Sequence, residues 1–136
     1  MRDVRRAVAA VMVAAAITLP LGGCASVIER RVEYTASSVS LARGEALVVE
    51  FGEVNHSVGD DWVLTREPDP AVLGEGDERS RDLGEDGETG SPSQMTYRFP
   101  AIGAGTTVVR FEYRFRGAVP EDPANRKSAE ITVTVK

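Results

Sequence analysis

Cysteine is almost absent from this sequence of 136 residues, which contains only Cys24. A disulfide within the chain is therefore excluded, and a folded domain must be stabilised by packing. Histidine also occurs only once, as His56, so the clusters of His and Cys that form structural zinc sites are missing. Neither a glycine-rich phosphate loop nor a dinucleotide-binding fingerprint is present. The sequence therefore predicts no cofactor and no metal site.

A long apolar run occurs only near the N-terminus, over residues 7–19, with Arg2, Arg5 and Arg6 before it and Leu21-Gly22-Gly23-Cys24 after it. The run is too short to cross a bilayer as a stable helix. The basic start, the apolar centre and the small residues before a cysteine are typical of a bacterial lipoprotein signal. We therefore expect residues 1–23 to be a signal peptide, Cys24 to be lipidated and residues 24–31 to be a tether. An ordinary secretory signal beside a chance cysteine is the alternative.

Basic residues are too few for a nucleic-acid-binding surface. The net charge is −5, and it becomes about −7 for residues 24–136 because the signal carries three Arg and one Asp. This charge disfavours nucleic acid as a partner, and also a purely electrostatic hold on an anionic membrane. Lipidated Cys24 would instead supply the membrane anchor. We expect an exported monomer, anchored by lipid to the cell membrane and facing the extracytoplasmic side.

Helix patterns are missing from residue 25 onward, whereas short runs with β-branched and aromatic residues recur between Gly and Pro turns. The predicted strands are residues 32–41, 46–51, 62–65, 95–99, 106–115 and 128–135. Residues 106–115 are the longest run, and their later positions alternate between apolar and charged side chains. The pattern predicts an all-β domain over residues 32–136, an immunoglobulin-like β-sandwich of about seven strands with Trp62 in its core.

The segment of residues 74–90 is rich in Gly and acidic residues and has almost no apolar content. Such a composition predicts a solvated, mobile loop. Calcium binding is the alternative because hard cations prefer carboxylate oxygens, although the spacing does not match an EF-hand loop. Asp60 and Asp61 could add ligands, but adjacent aspartates in a turn are usually just solvated.

Three connections between the predicted strands contain the candidate functional residues. The first is Asn55-His56-Ser57-Val58-Gly59, the second ends in Gly90-Ser91-Pro92-Ser93, and the third begins with Arg114-Phe115-Arg116 and runs to Pro123. Asn and Gly suit the ends of a tight turn because Asn can bond to nearby backbone and Gly accepts positive φ. Alternate connections of a sandwich fall at the same end, so we expect the three to form one edge.

A hydrolase is the competing interpretation of the first connection, with His56, Ser57 and Asp60 as its parts. Residues so close together in a turn rarely reach the geometry of nucleophile, base and orienting group. We therefore expect no catalytic residue and no enzyme.

The three connections resemble the motifs of the chagasin-like inhibitors of papain-family cysteine proteases. Asn55 and Gly59, with Trp62 after them, match the first motif in place, while its Pro and two Thr are replaced. Gly90 has the family's spacing to the strand residue Phe99, and Arg114, Phe115 and Arg116 follow a strand tyrosine, Tyr113. The turn at residues 101–106 is also similar, and the resemblance covers residues 39–135.

The resemblance implies an immunoglobulin-like fold and an inhibitor that blocks a protease cleft with three loops. It implies that Ser57 and Val58 would enter deepest, that Asn55 and Gly59 would hold the loop's shape, and that Arg114, Phe115 and Arg116 would contact a rim. With the replaced motif residues we expect weak or altered inhibition. The alternative function is a cell-envelope lipoprotein that binds a different protein or a glycan without inhibiting a protease.

Overall fold

The computed structural model describes residues 26–86 and 88–136. The predicted signal peptide, residues 1–23, and Cys24 lie outside the described residues. Within the described ranges, no helix has the length and apolar character needed to span a membrane.

Eight strands form two four-stranded sheets that pack face to face. The strands are β1 Glu29–Glu33, β2 Ser38–Leu41, β3 Ala46–Val54, β4 Asp60–Arg66, β5 Asp77–Asp82, β6 Ser93–Pro100, β7 Gly105–Phe115 and β8 Ser128–Val135. The first sheet has the order β1-β3-β6-β5 and the second β2-β8-β7-β4. The pairs β1/β3 and β2/β8 are parallel, and the others are antiparallel. The predicted all-β, immunoglobulin-like sandwich is confirmed, with eight strands instead of about seven.

The strand count differs first because residues 32–41 are not one strand. The chain turns after Glu33, where the Ala36 amide donates to the Glu33 carbonyl oxygen at 2.9 Å, and it then crosses to the other sheet. Val32 pairs with Val49 of the first sheet and Val39 pairs with Val133 of the second. In addition, β1 begins at Glu29, inside the stretch that we expected to be a tether.

The second difference is β5, which lies inside the acidic segment predicted to be a mobile loop. All six of its residues, Asp77–Asp82, are exposed and none is apolar. The strand forms because its backbone pairs with β6, from Asp77 opposite Arg98 to Asp82 opposite Ser93. Backbone pairing to an existing sheet overrides a composition that by itself is unfavourable for a strand.

The core lies between the sheets and is formed by inward-facing residues of both. Its largest fully buried side chains are Phe99, Phe111, Leu47, Leu73, Met95, Ile131, Val49, Val109 and Val133. Trp62 is buried, as the sequence predicts, with ring centroids 4.9 Å from Phe51 and 4.8 Å from Tyr34. Every strand of both sheets lies within residues 26–136, so a chain that begins at residue 26 contains the whole sandwich.

The strand directions divide the connections between two ends of the sandwich. Residues 34–37, 55–59, 83–92 and 116–127 connect strands at one end, which we call the loop end. Residues 42–45, 67–76 and 101–104 connect them at the other. The three connections singled out in the sequence therefore share one end, together with the turn at residues 34–37.

Candidate functional site

The first connection at the loop end is a single short 3-10 turn over His56–Val58, capped at both ends. The Asn55 side-chain oxygen accepts a hydrogen bond from the Ser57 amide at 3.1 Å. The Asn55 carbonyl oxygen accepts from the amides of Val58 at 3.2 Å and Asp60 at 3.1 Å. Gly59 follows with a φ of 104°, which few side-chain-bearing residues adopt. The backbone is therefore fixed on both sides of Ser57.

A side-chain hydrogen bond joins the first connection to the second. The Asn55 Nδ2 donates to the carbonyl oxygen of Gly90 at 3.0 Å. Beside this contact, Val54 at the end of β3 pairs with Ser93 at the start of β6. Asn55 is thus used twice, as an acceptor that caps its own turn and as a donor to the neighbouring loop.

A backbone hydrogen bond joins the first connection to the third. The Arg116 amide donates to the Gly59 carbonyl oxygen at 2.8 Å. A Cβ atom on Gly59 would lie 2.6 Å from the Arg116 Cγ and 3.1 Å from the Arg116 backbone nitrogen. The two loops can approach this closely only because residue 59 has no side chain.

The third connection begins after Phe115 and not at Arg114, because β7 continues through Phe115, where the predicted strand of residues 106–115 also ends. Arg114 and Phe115 are strand residues that pair with Asp61 and Asp60 of β4. Only Arg116 lies in the turn, next to Gly117, with φ values of 51° and 81°. Two successive positive φ values are typical of a type I′ hairpin turn. The Arg116 guanidinium lies 5.1 Å from the centroid of the Phe115 ring, at cation–π distance.

Apolar side chains are exposed around these loops. Of the seven large apolar side chains that are exposed in the described residues, four lie at the loop end: Val58, Leu83, Phe115 and Val119. His56, Ser57, Gly90 and Arg116 are exposed beside them, whereas Ser91, Pro92 and Ser93 are half-buried. Exposed apolar groups next to charged and polar ones are typical of surfaces that bind other proteins.

Asp60 has a structural role that the sequence does not reveal. Tyr113 on β7 donates a hydrogen bond from its hydroxyl to Asp60 Oδ1 at 2.5 Å. This bond is the main reason why the pKa of Tyr113 is raised to about 12, with burial and the Asp60 charge adding to it. The contact fixes the start of β4 directly after the first connection. The sequence does not indicate that Asp60 is bonded to Tyr113, because the two residues are 53 positions apart and meet only in the folded sandwich.

The structure also brings together three metal-ligating side chains that the sequence did not connect. His56 Nε2 lies 3.4 Å from Asp61 Oδ1 and 3.8 Å from Glu78 Oε1. Glu78 is on β5, in the segment expected to be a loop, so its position beside His56 depends on the unpredicted strand. Burial, and next the Asp61 charge, raise the pKa of Glu78, while His56 opposes the rise.

The surroundings of this cluster are acidic. Tyr97 on β6 pairs with Glu78 across the two strands. Burial raises the pKa of Tyr97, and the charges of Glu78, Glu67, Asp77 and Glu75 raise it further, in that order. Three acidic residues of the 74–90 segment, Glu75, Asp77 and Glu78, therefore act on Tyr97, and Glu78 also faces His56.

We predict that two substitutions of Asn55 separate its two hydrogen bonds. Asn55→Asp retains the acceptor for the Ser57 amide and loses the donor to Gly90, whereas Asn55→Ala loses both. Asn55→Ala should lower the free energy of unfolding by about 1–2 kcal/mol, and Asn55→Asp by less. Urea unfolding measures this, and amide hydrogen exchange at Ser57 should stay slow in Asn55→Asp only. Equal exchange at Ser57 in both variants would contradict the capping role.

We predict a pH-dependent contribution from Tyr113. Because its pKa in the folded protein, about 12, lies above the value of about 10 for a free tyrosine, the stabilisation is complete below about pH 10 and is lost as the pH rises towards 12. Tyr113→Phe should lower the free energy of unfolding by about 1 kcal/mol at neutral pH. This difference from the wild type should narrow between about pH 10 and about pH 12.

The control is Ile102→Ala at the opposite end of the sandwich, since it replaces one side chain that cannot ionise with another. Its difference from the wild type should not change in this pH range. A constant difference for Tyr113→Phe would show that the bond to Asp60 does not control the ionisation of Tyr113.

Similar solved structures share this fold over most of the chain. Amebosin, known from a solution structure, is 18% identical with a TM-score of 0.60, covering 82% of this chain and 100% of amebosin. The cysteine protease inhibitor EhICP2 from Entamoeba histolytica is 13% identical with a TM-score of 0.58, covering 81% and 97%. PbICP-C, solved in complex with falcipain-2, is 15% identical with a TM-score of 0.54, covering 80% and 99%.

The family described as Chagasin family peptidase inhibitor I42 matches residues 40–135, which is more than half of the chain. No protein with a curated function matches the chain. The match covers seven of the eight strands wholly or in part, from the end of β2 to the end of β8, and all three connections of the loop end that were singled out in the sequence. It confirms the resemblance stated from the motifs, and the family consists of inhibitors and not of enzymes. The chain therefore belongs to the chagasin family of peptidase inhibitors.

Proposed function

We propose that the protein is a membrane-anchored inhibitor of papain-family cysteine proteases that blocks the active-site cleft with the three connections of the loop end. The observation that carries this proposal is the pair of hydrogen bonds that joins the connections, from Asn55 Nδ2 to Gly90 and from the Arg116 amide to Gly59. They make three separate loops into one surface.

Preorganisation is the physical basis of the proposed inhibition. A loop that is already ordered loses little conformational entropy when it binds, so more of the contact energy contributes to affinity. The turn at His56–Val58 is fixed by its Asn55 cap, by Gly59 and by the two neighbouring loops. Ser57 and Val58 stand at its exposed side and are the residues that we assign to the deepest part of the cleft.

The same turn explains how the inhibitor would escape cleavage. A protease must place a peptide carbonyl in line with its nucleophile. The His56 carbonyl oxygen accepts a hydrogen bond from the Gly59 amide at 3.2 Å, and the Asn55 carbonyl oxygen accepts from Val58. Moving these carbonyl groups into attack geometry would require the turn to open.

Phe115 and Arg116 form the proposed contact with one rim of the cleft. Both are exposed, and the stacking of the guanidinium on the ring restricts their motion before binding. Arginine and aromatic side chains are frequent anchors of protein interfaces. Arg114 is assigned a supporting role because it is half-buried in β7, and Gly90 to Ser93 are assigned to the opposite rim.

The choice of a papain-family enzyme as the partner draws on relatives of the same fold. EhICP2 is described as a cysteine protease inhibitor, and PbICP-C forms a complex with falcipain-2. Transfer of this partner to the present chain is a proposal, and it is supported by the shared family and by the geometry of the loop end.

The proposed lipid anchor and the loops would lie at opposite ends of the molecule. Glu29, the first residue of β1, pairs with Ala46 at the start of β3, whereas the first connection follows the end of β3. The nine residues of β3 separate these ends by about 30 Å. Between Cys24 and Glu29 an extended chain reaches at most about 18 Å. A lipid on Cys24 would therefore hold the far end near the membrane and direct the loops away from it.

We predict that Val58→Ala weakens inhibition of papain by residues 26–136 about tenfold, because it removes apolar surface equivalent to about 1.5 kcal/mol of burial. The control is Ile102→Ala at the opposite end. Ile102 is 54% exposed and Val58 is 50% exposed, so the control removes at least as much exposed apolar surface, because isoleucine is the larger side chain. Steady-state inhibition constants for the two variants and the wild type measure the effect.

The outcomes of this experiment are distinct. If the wild type inhibits papain but Val58→Ala has an unchanged inhibition constant, the first connection is not the inserted loop. If the wild type does not inhibit papain or a cathepsin at micromolar concentrations, the protein is better described as an envelope module that binds another protein or a glycan.

We predict that Cys24 carries the membrane anchor. In a bacterial host, the wild-type protein should be found in the membrane fraction, and mass spectrometry should detect a diacylglycerol-modified N-terminal cysteine. Cys24→Ala should abolish the modification and release the protein from the membrane fraction. Unmodified Cys24 in a protein that is nevertheless cleaved would identify an ordinary secretory signal.

A further inference from the structure

We propose that His56, Asp61 and Glu78 form a binding site for Zn²⁺ at the base of the first connection. The three residues come from three different elements: the 3-10 turn, β4 and β5. The inference concerns metal binding by this chain and does not depend on whether the loop end inhibits a protease.

The distances between the ligand atoms suit a tetrahedral ion. Zinc binds histidine nitrogen and carboxylate oxygen at about 2.1 Å, which places two ligand atoms of a tetrahedron about 3.4 Å apart. His56 Nε2 lies 3.4 Å from Asp61 Oδ1 and 3.8 Å from Glu78 Oε1. All three ligand atoms lie within 4.8 Å of one another, so only small side-chain rotations are needed. Water would occupy the fourth position.

The donor set selects the kind of ion. An imidazole nitrogen with two carboxylate oxygens suits zinc and other borderline transition metals. Calcium and magnesium prefer sites made only of oxygen, with six or more ligands for calcium. This proposal therefore differs from the calcium interpretation of the acidic segment, because it requires His56 and uses only one carboxylate of β5.

The site is also short of positive charge. Among the described residues, neither Asp61 nor Glu78 forms an ion pair with an arginine or a lysine, and their one basic neighbour is His56, which carries a charge only when it is protonated. In every other ion pair of the described residues the carboxylate is paired with an arginine, as Glu45 is with Arg30. The acidic residues around Tyr97 add to the negative field of this edge, which would concentrate a divalent cation there.

A bound ion would connect the two sheets. β4 is the edge strand of the second sheet and β5 is the edge strand of the first. No disulfide can join the sheets, since the chain has one cysteine. An ion held by Asp61 and Glu78 would cross-link these edges, and His56 would fasten the first connection to them.

The test uses residues 26–136 with any purification tag removed, because this chain contains the whole sandwich and lacks the Cys24 thiol, which could bind zinc itself. Isothermal titration with ZnCl₂ should show one ion per chain with a micromolar dissociation constant. A free zinc concentration about ten times the dissociation constant should raise the unfolding temperature by about 5 °C or more. As His56 is the only histidine, its imidazole NMR signals report directly on the site.

Three variants and one control make the assignment. His56→Ala, Glu78→Gln and Asp61→Asn should each weaken zinc binding at least tenfold, and Asp61→Asn retains an acceptor for the Trp62 amide, which donates to Asp61 Oδ1 at 2.8 Å. Glu53→Gln removes the same charge from an exposed position on β3 and should leave binding unchanged. MgCl₂ and CaCl₂ at the same concentrations should produce no shift of the His56 signals.

Absence of zinc binding at millimolar concentrations would overturn the proposal, as would binding that persists unchanged in His56→Ala. No protease is present in these measurements, so their outcome is independent of inhibition. Zinc binding has to be measured without a protease because zinc itself binds the catalytic thiolate of cysteine proteases.

Discussion

The contact of Phe51 with Phe111 and Trp62 is the interaction on which the rest of the molecule depends. Phe51 belongs to the first sheet, and its ring centroid lies 4.9 Å from each of the other two, which belong to the second. Without a disulfide, packing in the core has to hold the sheets together, and aromatic pairs within it contribute beyond the area that they bury. Phe51 lies three positions before the end of β3, and Trp62 lies three positions after Gly59. The same packing therefore positions the two strands, β3 and β4, between which the first connection runs.

A small number of contacts then holds the connections of the loop end in place above this packing. Asn55 provides a cap and a cross-link with one side chain, Gly59 permits close approach, and Tyr113 holds Asp60 at the start of β4. Apart from the cap, which is local, each contact joins residues far apart in the chain, which become neighbours only when the sheets form. The rigidity of the loops is thus a property of the whole sandwich, and substitutions in the core that change the spacing of the sheets would also change the loops.

The sequence predicts the class of fold and the end at which the loops meet, because period-2 strands and Gly or Pro turns are local signals. It does not predict β5, whose six residues carry no apolar pattern and pair only because β6 offers a free edge. It also predicts one strand where β1 and β2 are separate, since the turn after Glu33 contains neither Gly nor Pro. The partners of Asn55, Asp60 and His56 follow from strand register. Register is set by packing between distant segments, so those partners could not be read from the motifs.

His56 takes part in both the proposed protease contact and the proposed zinc site. It is exposed in the first connection beside Ser57, where a protease would contact it, and it also faces Asp61 and Glu78, where an ion would bind it. An imidazole coordinated through Nε2 is fixed in orientation, which would stiffen the turn but reduce the freedom of His56 to adapt to a cleft. Binding of zinc and binding of a protease would then be coupled, and linkage requires the coupling to be reciprocal. Its sign depends on whether the ring orientation that suits the ion also suits the cleft.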